Sequence, residues 1–194
     1  MSKGRLEAFS DGVIAILITI MVLELHIPSG AGWAALRPLT PVFGSYALSF
    51  VFLGIYWSNH HHLFQAVRHV SGGVLWANLH LLFWLSLTPF VTGWMGESRF
   101  AADAVALYGA VLLLSAVAYY ILVKTLLAAQ GDDTTLARAV GTDFKGRISI
   151  IIYLAAIALA LVQPLAAGAL YVAVAIMWLV PDRRIEHALG MRGT

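Results

Sequence analysis

The chain is 194 residues long, 60% hydrophobic and only 11% charged, with a formal net charge of +2 and no cysteine. Soluble domains run at roughly 45–50% apolar and 25% charged residues, so this composition excludes one and describes an integral membrane protein. The missing cysteines exclude disulfides, thiolate metal sites and a thiol nucleophile, and leave the redox compartment undecided.

The first apolar run covers residues 9–27. At about 1.5 Å per helical residue it nearly crosses a bilayer core of roughly 30 Å. Its entrance holds Ser10 and Asp11, and an ionisable group at that depth is usually functional or paired, because an unpaired charge there costs several kcal/mol. The run stops at the turn-forming Pro28-Ser29-Gly30. A cleavable signal peptide is the alternative for this segment, but Glu7 and Asp11 make a poor positively charged leader.

Five further spans follow, at 41–64, 74–94, 101–128, 148–162 and 165–180. A polar stretch, 130–147, separates the fourth from the fifth; Gln163-Pro164 separates the fifth from the sixth; Pro181-Asp182-Arg183-Arg184 ends the last. The final two runs are short, so a buried hairpin or re-entrant pair is their alternative. The chain reads as one all-α membrane domain, 1–194, with no soluble domain and no internal repeat.

Lys and Arg accumulate on the cytoplasmic side of membrane proteins. With the N-terminus inside, the inner segments hold Lys3, Arg5, Arg68, Lys124, Arg138, Lys145, Arg147, Arg183, Arg184 and Arg192, and the outer loops only Arg37 and Arg99. Both termini are therefore expected in the cytoplasm. Trp33, Trp57, Trp94 and Trp178 fall near span ends and read as interface anchors. Ala102, Ala106 and Ala110, and the alanines of 155–160, are expected to be packing surfaces, since small residues let helices approach closely in lipid.

Polar residues within the spans share one depth. Ser10 and Asp11 open the first span, Asn59 to His62 close the second, and Asn78 and His80 lie near the start of the third, all toward the cytoplasmic face. Buried polar groups in lipid need partners, so a hydrogen-bond cluster is expected to tie the first helix to the second and third. His60, His61 and His62 point about 100° apart on a helix, whereas ligation from one face needs i, i+4 spacing, so no metal site is assigned. No nucleophile with an adjacent base is visible, and no enzyme is expected.

The pattern Arg5-x-x-x-Phe9-Ser10-Asp11 resembles the signature of the endolysosomal potassium channel family, transmembrane protein 175, and its bacterial members. Tyr56-Trp57-x-x-His60-His61-x-x-Phe64, Asn78-Leu79 and Ser86-Leu87-Thr88-Pro89-Phe90-x-Thr92 are similar to the same family. The resemblance covers about half the chain. It implies six transmembrane helices per subunit and a central pore lined by the first helix of each subunit in a homotetramer. It also implies a bacterial inner-membrane location, potassium as the transported ion, no cofactor, and no partners beyond the bilayer and further copies of the chain, nucleic acid included. Ile16, Ile20 and Leu23 would form a narrow apolar layer, with Thr19 adding hydroxyls.

Asp11 lies about 140°, 180° and 120° around the helix from Ile16, Ile20 and Leu23, so its carboxylate is expected to face its own subunit rather than form a selectivity ring. This helix is apolar all round, so periodicity does not pick the pore face; lipid-facing or packing roles for the three residues stay open. No Thr-Val-Gly-Tyr-Gly filter occurs, which excludes a carbonyl-lined one. An apolar collar can discriminate instead by requiring partial dehydration, which potassium tolerates better than sodium, and can close by dewetting. A secondary transporter or proton-coupled carrier is the alternative; its midplane polar groups would be Thr19, Ser49, Ser86, Thr88 and Ser115.

Overall fold

The computed structural model describes residues 2–67, 69–130 and 144–179. Arg68, Arg138, Arg183, Arg184 and Arg192, the segment 131–143 and the stop at 181–184 lie outside the described residues. Among the described residues, seven α-helices follow in order: α1 Lys3–Leu23, α2 Thr40–Gln65, α3 Gly72–Ser86, α4 Thr88–Glu97, α5 Ala102–Gln130, α6 Phe144–Ala160 and α7 Pro164–Leu179, with a short 3₁₀ helix, Trp33–Leu39, before α2.

Two of these boundaries correct the sequence reading. The helix of the first span starts at Lys3 and ends at Leu23 rather than running 9–27, so the charged preface is already helical and residues 24–27 are not. The third span is two helices. Pro89 has no N–H to give and its ring would crowd the carbonyl of Leu85, so the run breaks at Leu87 and restarts with proline in the first turn of α4. Pro164 opens α7 in the same way.

Long-range contacts fix the helix directions. At one end, Ser10 of α1 meets Asn78 of α3, which meets His60 of α2, and Gln130 of α5 donates to the backbone of His69. At the other, Glu24 lies beside Gly93, and Val42 and Ser45 beside Gly96. α1, α2, the α3–α4 pair and α5 thus alternate in direction. The first end carries Lys3, Arg5, Lys124, Lys145 and Arg147; the second carries Glu24, Glu97 and Asp103 with Arg37 and Arg99.

Among the described residues, four helical stretches are long and apolar enough to cross a membrane: 3–23, 33–65, 72–97 and 102–130. α6 and α7 have 17 and 16 residues, about 25 Å each. Two apolar cores lie along α5. One joins α1, α2, α3 and the basic half of α5 through Leu6, Ile14, Leu17, Leu53, Leu81 and Leu122. The other joins the acidic half of α5 to α4, α6 and α7 through Met95, Tyr108, Tyr153 and Tyr171.

Close approach in the second core depends on small residues. Ala156, Ala160 and Ala167 are fully buried, and a Cβ at Gly109 would run into the Tyr171 ring and hydroxyl. Ala102, Ala106 and Ala110 are only half-buried, while Ala104, Val105 and Tyr108 turn inward, so the packing face of α5 is rotated from the four-residue alanine stripe.

Candidate functional site

The face of α1 that meets the rest of the chain is narrow and well defined. Leu6, Ser10, Ile14, Leu17 and Met21 are buried, a spacing of four, four, three and four that keeps one side of a helix inward. Thr19 lies about 180° from the mean direction of these five residues. Around Thr19 the surface is open: Ile16 is 57% exposed, Ile20 39% and Leu23 82%. Gly4, Ala8 and Gly12 continue the open side toward the basic end at four-residue spacing, and a Cβ at Gly4 or Gly12 would meet nothing within 4 Å. The Thr19 hydroxyl donates to the Ile16 carbonyl at 2.8 Å, which turns its oxygen lone pairs outward.

The buried face carries a directed chain of hydrogen bonds. His60 Nε2 lies 2.8 Å from Asn78 Oδ1, and an amide oxygen only accepts, so the imidazole holds its proton on Nε2. Asn78 Nδ2 donates to Ser10 Oγ at 2.9 Å, and the Ser10 hydroxyl donates to the Leu6 carbonyl at 2.9 Å. All three side chains are buried. Three helices are thereby joined with each polar group satisfied, as apolar surroundings require. The His60 ring also stacks on Phe64, centroids 4.5 Å apart.

Asp11 stands at the flank of this face. Its Oδ1 accepts from Trp57 Nε1 at 3.0 Å, and the Trp57 ring stacks on His61, with an interplanar angle of 18° and centroids 6.0 Å apart. His61 Nε2 in turn lies 2.8 Å from Gln65 Nε2. The carboxylate thus engages its own chain, on a different side of α1 from Thr19.

The structure therefore brings Ser10, Asp11, His60, His61 and Asn78 into one layer, and does not bring His80. That side chain is exposed, and its Nε2 accepts from Trp84 Nε1 at 2.9 Å one turn along α3. Arg5 and Phe9 are exposed on α1. Two residues read as interface anchors prove to be hydrogen-bond donors: Trp57 to Asp11, and Trp178 to Ser149 Oγ at 2.9 Å.

A second buried polar group joins α2, α4 and α5 nearer the acidic end. Ser49 Oγ lies 2.7 Å from Thr92 Oγ1 and 3.0 Å from the Tyr108 hydroxyl, and Thr92 donates to the Thr88 carbonyl at 2.6 Å.

Comparison with known proteins places this arrangement. Residues 5–89 match the family described as the endosomal/lysosomal potassium channel TMEM175. The chain is 54% identical over 189 residues to a potassium channel of Chryseobacterium sp., covering 97% of this chain and 98% of that protein. It is 36% identical over 125 residues to a potassium channel of Streptomyces collinus, covering 60% and 61%. The crystal structure of a lysosomal potassium-selective channel TMEM175 homolog from Chamaesiphon minutus superposes with a TM-score of 0.79 at 27% identity, over 92% of this chain and 96% of that one. With a near full-length relative at this identity and a profile match beginning at the Arg5 motif, the chain belongs to the TMEM175 family of ion channels.

Proposed function

We propose that this chain is the subunit of a potassium-selective channel in a bacterial inner membrane, a homotetramer with α1 of each subunit around a central pore and both termini cytoplasmic. The observation that carries this reading is the two-sidedness of α1. One side is packed and hydrogen-bonded within the chain, and the other, centred on Thr19, is left exposed by the described residues. The open Gly4, Ala8 and Gly12 side supports close approach of α1 to another copy, since small residues four apart let helices pack backbone to backbone in lipid. The names of the bacterial relatives, potassium channels, supply the ion.

In this reading Ile16, Ile20 and Leu23 form an apolar collar and Thr19 a ring of hydroxyls beside it. The collar strips part of an ion's hydration shell, potassium loses less than sodium, and the same layer closes the pore by dewetting. Asp11, tied to Trp57, sets the position of α1 rather than lining the pore. The basic end of the helices faces the cytoplasm, following the Lys and Arg asymmetry, and α6 and α7 complete six spans.

Purified protein reconstituted into liposomes tests it. Potassium flux and a particle mass of four chains are the expected results. A monomer would contradict the reading outright, since a pore built from first helices needs several of them.

A further inference from the structure

Arg5 opens the α1 motif, yet it takes no part in the hydrogen-bonded layer that holds Ser10 and Asp11. Its side chain is exposed, and it has no partner among the described residues. Because α1 is one continuous helix from Lys3 to Leu23, directions around its axis carry from the basic end to the collar. Arg5 and Leu23 are about five whole turns apart, so they lie on one line; Ile16 and Gly12 fall about 20° to either side of it. Gly12 is exposed, and a Cβ there would meet nothing within 4 Å, so no side chain of this face stands between Arg5 and Ile16 on that line. The other charged residues of α1 point elsewhere. Lys3 and Glu7 lie about 160° from Arg5 and Asp11 about 120°; the first two are half-buried and Asp11 is held by Trp57. The guanidinium therefore has no acid on its own side of α1.

We infer that Arg5 is a valence filter at the cytoplasmic mouth of the pore, a conclusion that rests on the α1 pore proposed above. Any bundle that turns Ile16 and Leu23 toward a central axis turns Arg5 toward the same axis, one guanidinium from each copy. The resulting ring of positive charge lies about 16 Å from Ile16 along the helix. Fixed charge is screened over about 10 Å at 0.1 M salt, so the ring leaves the choice between potassium and sodium to the collar, where dehydration acts by contact. What it does set is the concentration of cations waiting at the inner entrance. Valence enters the exponent of that exclusion, so a potential that thins potassium about two-fold thins a divalent cation about four-fold. The ring thus lowers outward potassium current and keeps divalent cations from plugging the vestibule.

Inside-out patches containing the full-length channel test this through the outward single-channel current. Arg5→Gln should raise that current about two-fold at about 0.1 M KCl, and the gain should vanish at about 1 M, where screening falls to about 3 Å. Magnesium added to the cytoplasmic side should block Arg5→Glu and leave the wild type nearly untouched. Arg5→Lys keeps the charge and should match the wild type, and none of the three variants should move the reversal potential between potassium and sodium. An Arg5→Gln current equal to wild type at low salt, or a gain that persists at high salt, would overturn the ring. Ile16→Asn in the same patches separates the two readings. A shifted reversal potential there beside a silent Arg5→Gln removes the ring alone, whereas silence in both removes the α1 pore as well.

Discussion

The two apolar cores along α5 are held in different ways. In the α1–α3 core, apolar packing is pinned at the basic end by buried side-chain hydrogen bonds, His60 to Asn78 to Ser10, each running between helices. In the α4–α7 core, helices are brought together by alanines and Gly109 against tyrosine rings, with Tyr171 donating to the Val105 carbonyl at 3.1 Å. Lipid offers no hydrophobic drive for helices to associate, so close packing and polar contacts must supply it. The polar route also fixes rotation about the helix axis. α1 needs that, because turning it by one residue would bury Asp11 and expose Ser10; the alanine-lined faces of α6 are more alike from one residue to the next.

Breaking the packed region should have the largest effect on folding. Gly109→Leu drives a side chain into the Tyr171 ring and between α5 and α7. Overpacking of this kind costs about 1–3 kcal/mol and occasionally more. The expected outcome is little monodisperse protein by fluorescence-detected size exclusion, while Gly12→Ala, whose Cβ meets nothing within 4 Å among the described residues, leaves the isolated subunit's folding intact.

Breaking the polar region comes next. Asn78→Leu strands the His60 Nε2 proton in a buried site and takes the donor away from Ser10, at about 1–3 kcal/mol. A lower melting temperature is expected, with Ser10→Ala milder because its loss leaves only one amide hydrogen unmatched. An unchanged melting temperature in Asn78→Leu would show that the layer does not hold α1. Trp57→Phe should be smaller still, about 1 kcal/mol, since the Asp11 carboxylate is partly exposed and recovers water. That variant probes whether the bond from Trp57 sets α1 beyond what Ser10 already does.

The same contrast explains what was legible in the sequence. The α1–α3 region announced itself because polar residues are rare in spans, and Ser10, His60 and Asn78 could be matched by depth alone. His80 shared that depth and still points away, because depth says nothing about direction around a helix; α3 is apolar on all sides and gives periodicity no purchase. For the same reason the open face of α1, with Thr19 at its centre, emerged only from packing. The bond from Trp57 to Asp11 is not legible in the sequence, because an indole near a span end suits the interface as well as it suits a carboxylate. The break at Leu87 was signalled by Pro89, yet the run 74–94 is continuous in hydropathy and conceals it. Gly109 is not legible as a packing position, because a single glycine gives no spacing, whereas the alanine stripe beside it does.

The central claim is that the side of α1 bearing Ile16, Ile20 and Leu23 controls which ion passes, while Asp11 on another side only positions the helix. Reversal potentials with potassium inside and sodium outside test it directly. Ile16→Asn should wet the collar, shift the reversal potential toward that of a non-selective cation pore and raise total current. Asp11→Asn keeps an oxygen for Trp57 and should leave the reversal potential where it is. An unchanged potential in Ile16→Asn together with a large shift in Asp11→Asn would contradict the account and make the carboxylate the selectivity element.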